Sequence, residues 1–351
     1  MAREKLYVLL GLFVITLVSV ELLYAESLSH LRFLPTVFGE ISGQSASCWK
    51  PYSGDSPWNT PVSETGLNYH ENNDSFIQTL SNAQSGSHLG SNPNAYTYPV
   101  YDVTNQTPLI TVTFSGVFSN VINDGKTLER QSGGGTVQVP IPDNARPSSG
   151  SDSQIIIINT DTGDEWAFWV AKPDGNGNWS ARNGYHYNIN WNAVMPDGFT
   201  SRGAGVTYLS GLIRKCEIEN GSIDHAIAFA YDYPCSESVC DSNGYPYFVW
   251  PASKSDGKGK EKGDVPEGAR LHISPPPTNS ELQQWCGADT TCEIIVKALE
   301  KYGMFVIDNS GHAKMYPESN VTANWGDELT NETVRNIPLG RFKVLEFSSY
   351  P

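Results

Sequence analysis

From Tyr98 onward, short apolar runs alternate with clusters of Gly, Pro, Asn and Asp. Runs of this length, bounded by turn residues, read as β-strands. The pattern predicts strands over 98–103, 109–117, 136–141, 154–159 and 165–171. Further strands are predicted over 223–233, 247–252, 269–274, 304–309 and 342–347. Asp161-Thr162-Gly163-Asp164 reads as a hairpin turn, and Asp174-Gly175-Asn176-Gly177 as another turn. The run Ile155-Ile156-Ile157-Ile158 has no alternation, which predicts burial on both faces. In 223–233, alternation puts Ile223, His225, Ile227, Phe229 and Tyr231 on one face. Asp224, Ala226, Ala228, Ala230 and Asp232 share the other. That alanine face has so little bulk that another layer or a ligand can come close.

Helical spacing is clear once. Ile295, Leu299 and Tyr302 recur at that spacing, with Thr290 and Glu293 as a capping box and Gly303 as the C-terminal cap. A second, shorter helix is predicted over 212–218. Residues 26–97 read as an irregular segment packed on the body, and no internal repeat is visible, which argues against a propeller or solenoid. Many strands without βαβ alternation predict an all-β fold. The expectation is a β-sandwich of jelly-roll type over 98–351, with one or two short helices.

Composition narrows the function classes. Of 351 residues, 39% are hydrophobic and only 17% charged, with 17 Tyr and 9 Trp, too apolar and aromatic for a disordered chain. Lys and Arg number 23 against 38 Asp and Glu, a formal net charge of -15. No general basic field is available to hold nucleic acid or an anionic membrane. Arg3 and Lys5 precede an apolar run over 6–20, and Ala25 follows. This is the order of a secretory signal peptide over 1–25, and its apolar run falls short of the roughly 20 residues that span a bilayer. The expectation is a secreted, extracellular monomer with no membrane contact after cleavage.

Six cysteines in an exported chain favour disulfides. Six allow about 15 connectivities, and the sequence does not choose among them. Short separations favour Cys235–Cys240 and Cys286–Cys292, which leaves Cys48–Cys216. No CxxC pair exists and no His sits at ligand spacing, so neither a metal nor another cofactor is expected.

The familiar hydrolytic signatures are absent: there is no GxSxG elbow, no HExxH and no Walker loop. Candidate chemistry rests on scattered polar positions. His225 ends an apolar stripe and reads either as a core histidine held by a backbone carbonyl or as a general acid or base. Arg270, His272 and Ser274 alternate with Leu271 and Ile273, on a strand facing either solvent or a cleft, where Arg270 would orient a substrate. Lys254 opens a basic island over 254–262, either a solvated loop or a guide for an anionic sugar. Asp308 closes the strand 304–309, as a turn cap or as a carboxylate at a strand end. A glycoside hydrolase needs two carboxylates, about 5–5.5 Å apart if retaining and about 6.5–9.5 Å apart if inverting. Asp224, Asp308 and Asp256 are the candidates. A lyase acting on uronic acids would instead use His225, Arg270 and Tyr302 or His272. The expectation is one cleft holding Asp224, His225, Arg270 and Asp308 as catalytic groups. Arg214, His272, Tyr302 and Lys254 would contact substrate there. Exposed aromatics would stack on pyranose rings.

Four segments carry a resemblance. Gly211-Leu-Ile-Arg214 through Ile223-Asp-His-Ala226, Glu267-Gly-Ala-Arg270, and 302–311 resemble a group of secreted microbial proteins, and Ser56-Pro-Trp-Asn-Thr-Pro61 looks like that group's opening motif. The similarity spans most of the chain after residue 25. The broader likeness is to secreted jelly-roll carbohydrate-active proteins, at the level of fold. Together these observations predict a secreted polysaccharide-degrading enzyme acting on a polysaccharide or oligosaccharide. Net negative charge favours a glycoside hydrolase over a polysaccharide lyase, because a polyanion would be repelled. The alternative is a non-catalytic extracellular glycan-binding protein.

Overall fold

The computed structural model describes residues 48–62, 67–82 and 88–347. All described residues belong to one compact unit, Ser47–Pro351. The expected signal peptide over 1–25 lies outside the described residues.

Three mixed sheets form the body. The first has the order β6-β3-β10-β9, from Thr136–Pro140, Leu109–Phe114, Trp179–Ala181 and Lys172–Pro173. The second runs β2-β7-β8-β11-β4-β5, from Val100–Val103, Ile155–Asn159, Asp164–Trp169, Asn183–Asn188, Val117–Ile122 and Thr127–Ser132. The third runs β1-β15-β12-β14-β13-β16, from Gly90–Ser91, Lys314–Met315, Ile227–Tyr231, Met304–Asn309, Arg270–Ile273 and Phe342–Val344. The result is the all-β sandwich that the strand pattern predicts, with a few short helices. Parallel pairs such as β2 with β7 and β12 with β14 sit among antiparallel ones, a mixing for which alternation carries no signal.

The layering follows from two strands with two buried faces. In β7, Ile155 and Ile157 join Val112, Phe114 and Phe168 in the core between the first two sheets. Ile156 and Ile158 face the other way, into a core shared with Ala226, Ala228 and Ala230. The alanine face thus meets another layer, the second sheet. Ile227, Phe229 and Tyr231 look outward into a third core with Ile295, Leu299 and Trp285. Each fully buried large side chain of this kind contributes about 1.5–3 kcal/mol.

Helices cover that outer face. They are α1 (Asn73–Ser81), α2 (Lys215–Asn220), α3 (Glu237–Ser242), α4 (Asn279–Cys286), α5 (Thr290–Lys301) and α6 (Asn320–Ala323). The expected long helix is α5, but Thr290 is not its cap: the Asp289 side chain accepts a bond from Cys292 N. Gly303 does close it, with φ of 70° and its N–H donating to Ala298 O. The helix expected over 212–218 starts later, at Lys215, because Glu217 caps it by accepting from Arg214 N at 2.9 Å. Helix α1 lies in the segment read as irregular, and buries Phe76, Ile77 and Leu80. No strand forms over 247–252, where Pro246 and Pro251 remove ladder donors. The predicted strand 109–117 divides into β3 and β4 around Ser115-Gly116. Three disulfides, Cys48–Cys216, Cys235–Cys240 and Cys286–Cys292, match the pairing favoured by separation, and no described cysteine is free. No described helix is long and apolar enough to cross a membrane.

Candidate functional site

The densest convergence of titratable groups lies where β14 ends. Its register against β12 shifts between Phe229 and Ala230: Val306 pairs with Phe229, but Asp308 pairs with Ala230. One extra residue on a strand re-aims the side chains beyond it. Strict alternation would group Asp308 with Met304 and Val306, on the helix-facing core. The bulge instead sets Asp308 beside Ala230, whose other neighbour is Lys314 on β15. Two loops strap this end: Ala204 N donates to Ile307 O, and Ser253 N donates to Ala204 O. They deliver Arg202 and Asp256, while Glu267 arrives just before β13.

Asp256, Glu267 and Asp308 offer carboxylate oxygens that all lie within 4.8 Å of one another. Asp256 is exposed, Asp308 half-buried and Glu267 fully buried, so the cluster runs from solvent into the core. The Asp256 N–H donates to Glu267 Oε2 at 3.3 Å. The Asn309 amide donates to Asp256 Oδ1 at 2.5 Å and to its carbonyl at 2.6 Å. Glu267 Oε1 and Asn309 Oδ1 are buried without a hydrogen-bond partner. Gly203 makes room for this packing: a Cβ there would meet Asp256 Oδ1 and Glu267 Oε1, and the two carboxylates would have to shift. Among the described residues this is the group that could hold a divalent cation, with an all-oxygen donor set suited to a hard ion.

Burial and crowding of like charges set the protonation. Burial, then the neighbouring Asp256 carboxylate, pushes Asp308 up to about 7. Burial, then Asp256 and Asp308, pushes Glu267 well above the usual carboxylate range. Arg202 and Lys314 pull Asp308 the other way. Arg202 is itself buried, with its guanidinium 4.6 Å from the Tyr98 ring centroid and 5.0 Å from that of Tyr316. Lys314 Nζ lies 4.6 Å from the Tyr316 centroid and donates to Tyr96 O at 3.3 Å. Tyr96 is 43% exposed beside them. A half-buried carboxyl with protonation shifted by a specific charged neighbour is a candidate for acid or base chemistry.

The four catalytic candidates do not share this place. Asp224 is exposed before β12 begins and pairs with Lys301 at 3.8 Å. His225 is buried, its Nδ1 2.9 Å from Ala226 O and its Nε2 2.9 Å from Glu217 Oε1. Burial pushes His225 down, but the Glu217 carboxylate outweighs it and the net shift is upward. Arg270 pairs with Phe305, three positions before Asp308, about 10 Å along an extended strand. Its guanidinium donates to Tyr302 O and Thr60 O, and burial holds it down to about 10. His225 and Arg270 are used in tying the body together, Asp224 stays on the surface, and Asp308 alone of the four joins the cluster.

The expected substrate contacts scatter as well. Arg214 is buried against Trp49 and ion-pairs with Asp102 at 3.6 Å and Glu318 at 4.0 Å. His272 is buried and stacked on Tyr69, and burial pushes it down to about 4. Tyr302 is buried beneath the ammonium groups of Lys50 and Lys301. Lys254 lies nearest the cluster, with its ammonium 3.5 Å from Ser201 O. Glu267, Arg202 and Lys314 were not singled out as site residues from sequence. The signal for Glu267 was there: a carboxylate in the apolar stretch Val265-Pro266-Glu267-Gly268-Ala269 must find a partner or a proton.

No protein-family model, no curated protein and no solved structure matches this chain.

Proposed function

We propose that the chain is a secreted polysaccharide-degrading enzyme, a glycoside hydrolase, with its chemistry at Asp256 and Asp308. The observation that carries the reading is the convergence of these two carboxylates, 52 positions apart in the chain, with oxygens inside 4.8 Å. Asp308, protonated up to about pH 7, serves as the general acid that protonates the leaving glycosidic oxygen. Asp256, the exposed member, attacks the anomeric carbon on the solvent side. Glu267 keeps its proton and positions Asp256 from below. Oxygens inside 4.8 Å lie just under the roughly 5–5.5 Å of the retaining class and well short of the roughly 6.5–9.5 Å that would admit a water between the two groups. The lyase reading gains no such support, because Arg270 and His225 are engaged elsewhere.

The test is incubation with a panel of neutral and uronic-acid polysaccharides, reading reducing ends together with absorbance at about 235 nm, the signature of the unsaturated product an elimination leaves. New reducing ends without that absorbance, lost in Asp308→Asn and in Asp256→Asn, are the expected result. Unsaturated product would make the chain a lyase. Binding without cleavage, or calcium uptake by the cluster with no cleavage of any substrate, would make it a non-catalytic glycan-binding protein.

A further inference from the structure

A polar cavity opens at the turn between β7 and β8, lined by none of β14's clustered carboxylates. It encloses about 490 Å³, within the size range of small-molecule sites. Trp49 forms one wall, and the turn residues Asp161 and Thr162 with Asn190 form the facing one. Lys50 and Ser53 complete the lining that matters here.

Both walls are held rigidly. The indole of Trp49 is backed by the buried Arg214 guanidinium, 4.3 Å from the ring centroid. Its Nε1–H makes a long bond of 3.5 Å to Asp102 Oδ2, which also ion-pairs with Arg214. Residue 48, next in chain, is bonded to Cys216, two positions beyond Arg214, so one disulfide clamps ring and backing together. On the facing wall, Asp161 N donates to Asn159 Oδ1 and Asp161 Oδ2 accepts from Asn105 N at 2.8 Å. Asn190 N donates to Asn188 Oδ1 at 3.0 Å. Gly163, with φ of 79°, lets the Asn190 amide close on the turn, since a Cβ there would collide with Asn190 Nδ2. Tyr52 N and Ser53 N donate to Ile189 O and Trp191 O, which fixes the cavity's width.

We infer that this cavity is a binding subsite for a neutral saccharide unit. The apolar C–H face of a pyranose suits a fixed indole. Sugar hydroxyls both donate and accept: the Asn190 amide can meet them in both roles, while the Ser53 and Thr162 hydroxyls, whose protons go to Asp55 and Asp164, and the free oxygen of Asp161 accept. Within the lining Lys50 and Asp161 carry one charge of each sign, and the Asp55 and Asp164 carboxylates behind the two hydroxyls disfavour an anionic ligand. A preformed wall of this kind costs little side-chain ordering on binding. The subsite goes beyond the hydrolase reading and fails separately from it, because it predicts binding rather than cleavage.

The experiment measures binding to the full chain carrying Asp308→Asn, so that cleavage does not consume the probe. The probes are neutral tetrasaccharides of β-1,4-glucose, β-1,3-glucose, α-1,4-glucose and β-1,4-mannose, with tetragalacturonate as the anionic comparison. Titration calorimetry and tryptophan fluorescence read the binding. At least one neutral probe should bind and shift the tryptophan signal. Adding Trp49→Ala should weaken it about tenfold or more, and Asn190→Ala about threefold or more. The exposed Asn190→Ala change reads the site even where Trp49→Ala fails to fold. No binding by any neutral probe, binding of tetragalacturonate alone, or affinity unchanged in folded Asn190→Ala protein would overturn the inference.

Discussion

Glu165 and Glu267 are both wholly buried glutamates, and burial raises the proton affinity of each. Their surroundings differ. Glu165 accepts from Tyr52 Oη at 3.1 Å and Tyr185 Oη at 2.5 Å. Tyr52 reaches on to Thr207, which meets Ser210 at 2.7 Å, and Tyr185 accepts from Tyr208 N. Every oxygen has a donor, and these bonds hold Glu165 at about 7 against burial. Glu267 has two carboxylates for neighbours, one backbone donor and one orphaned oxygen. Equal burial therefore supports opposite roles. The satisfied glutamate joins the second sheet to the 207–210 loop, and the under-satisfied one brings a proton into the carboxylate cluster.

The largest difference should appear in turnover. Asp308→Asn or Asp256→Asn should lower kcat/KM about a thousandfold. Glu165→Gln should leave turnover per folded molecule unchanged within about threefold. An equal loss from Glu165→Gln would mean that both buried glutamates serve the site. Stability should invert the order. Glu165→Ala strands two buried tyrosine hydroxyls and should cost about 3–5 kcal/mol in urea unfolding. Glu267→Gln replaces a carboxyl that already keeps its proton by a neutral amide of the same shape and should change stability by less than about 1 kcal/mol. A large loss there would mean that Glu267 is as structural as Glu165.

The smallest effect is the pH dependence of the thermal midpoint. Asp308 binds its proton more tightly folded, at about 7, than at its ordinary value of 3.8. The stability this provides is complete below about pH 4, declines as pH rises, and is gone above about 7. The wild-type midpoint should therefore fall by several degrees between about pH 5 and 8. In Asp308→Asn that fall should shrink, leaving the part due to the other carboxyls that burial raises, Glu165, Asp264, Glu267 and Glu318. An unchanged slope would show that Asp308 does not titrate in this range. The same carboxyl should set the alkaline limb of kcat/KM, with activity falling above about pH 7 as the acid loses its proton.

His225 and Asp308 illustrate what could be read in advance. Alternation correctly put His225 in line with Ile227 and Phe229, and a buried imidazole needs a partner. Which partner it found was not legible, because Glu217 comes from a helix whose cap it also serves. Asp308 was legible as a carboxylate at a strand end, but its facing was not, because a one-residue bulge reverses the parity on which alternation relies.

The amino-acid pattern by itself determined the strand-and-turn rhythm, the doubly buried Ile155–Ile158 run, the thin alanine face and the local disulfides. Each is a short-range consequence of side-chain size and spacing. Only the tertiary structure decided that Asp256, Glu267 and Asp308 meet, that Arg270 and Asp224 stand apart from them, and that Trp49 faces the β7–β8 turn. Those juxtapositions depend on loop docking and a register shift. Periodicity records which face of a strand is buried, not which distant segment buries it.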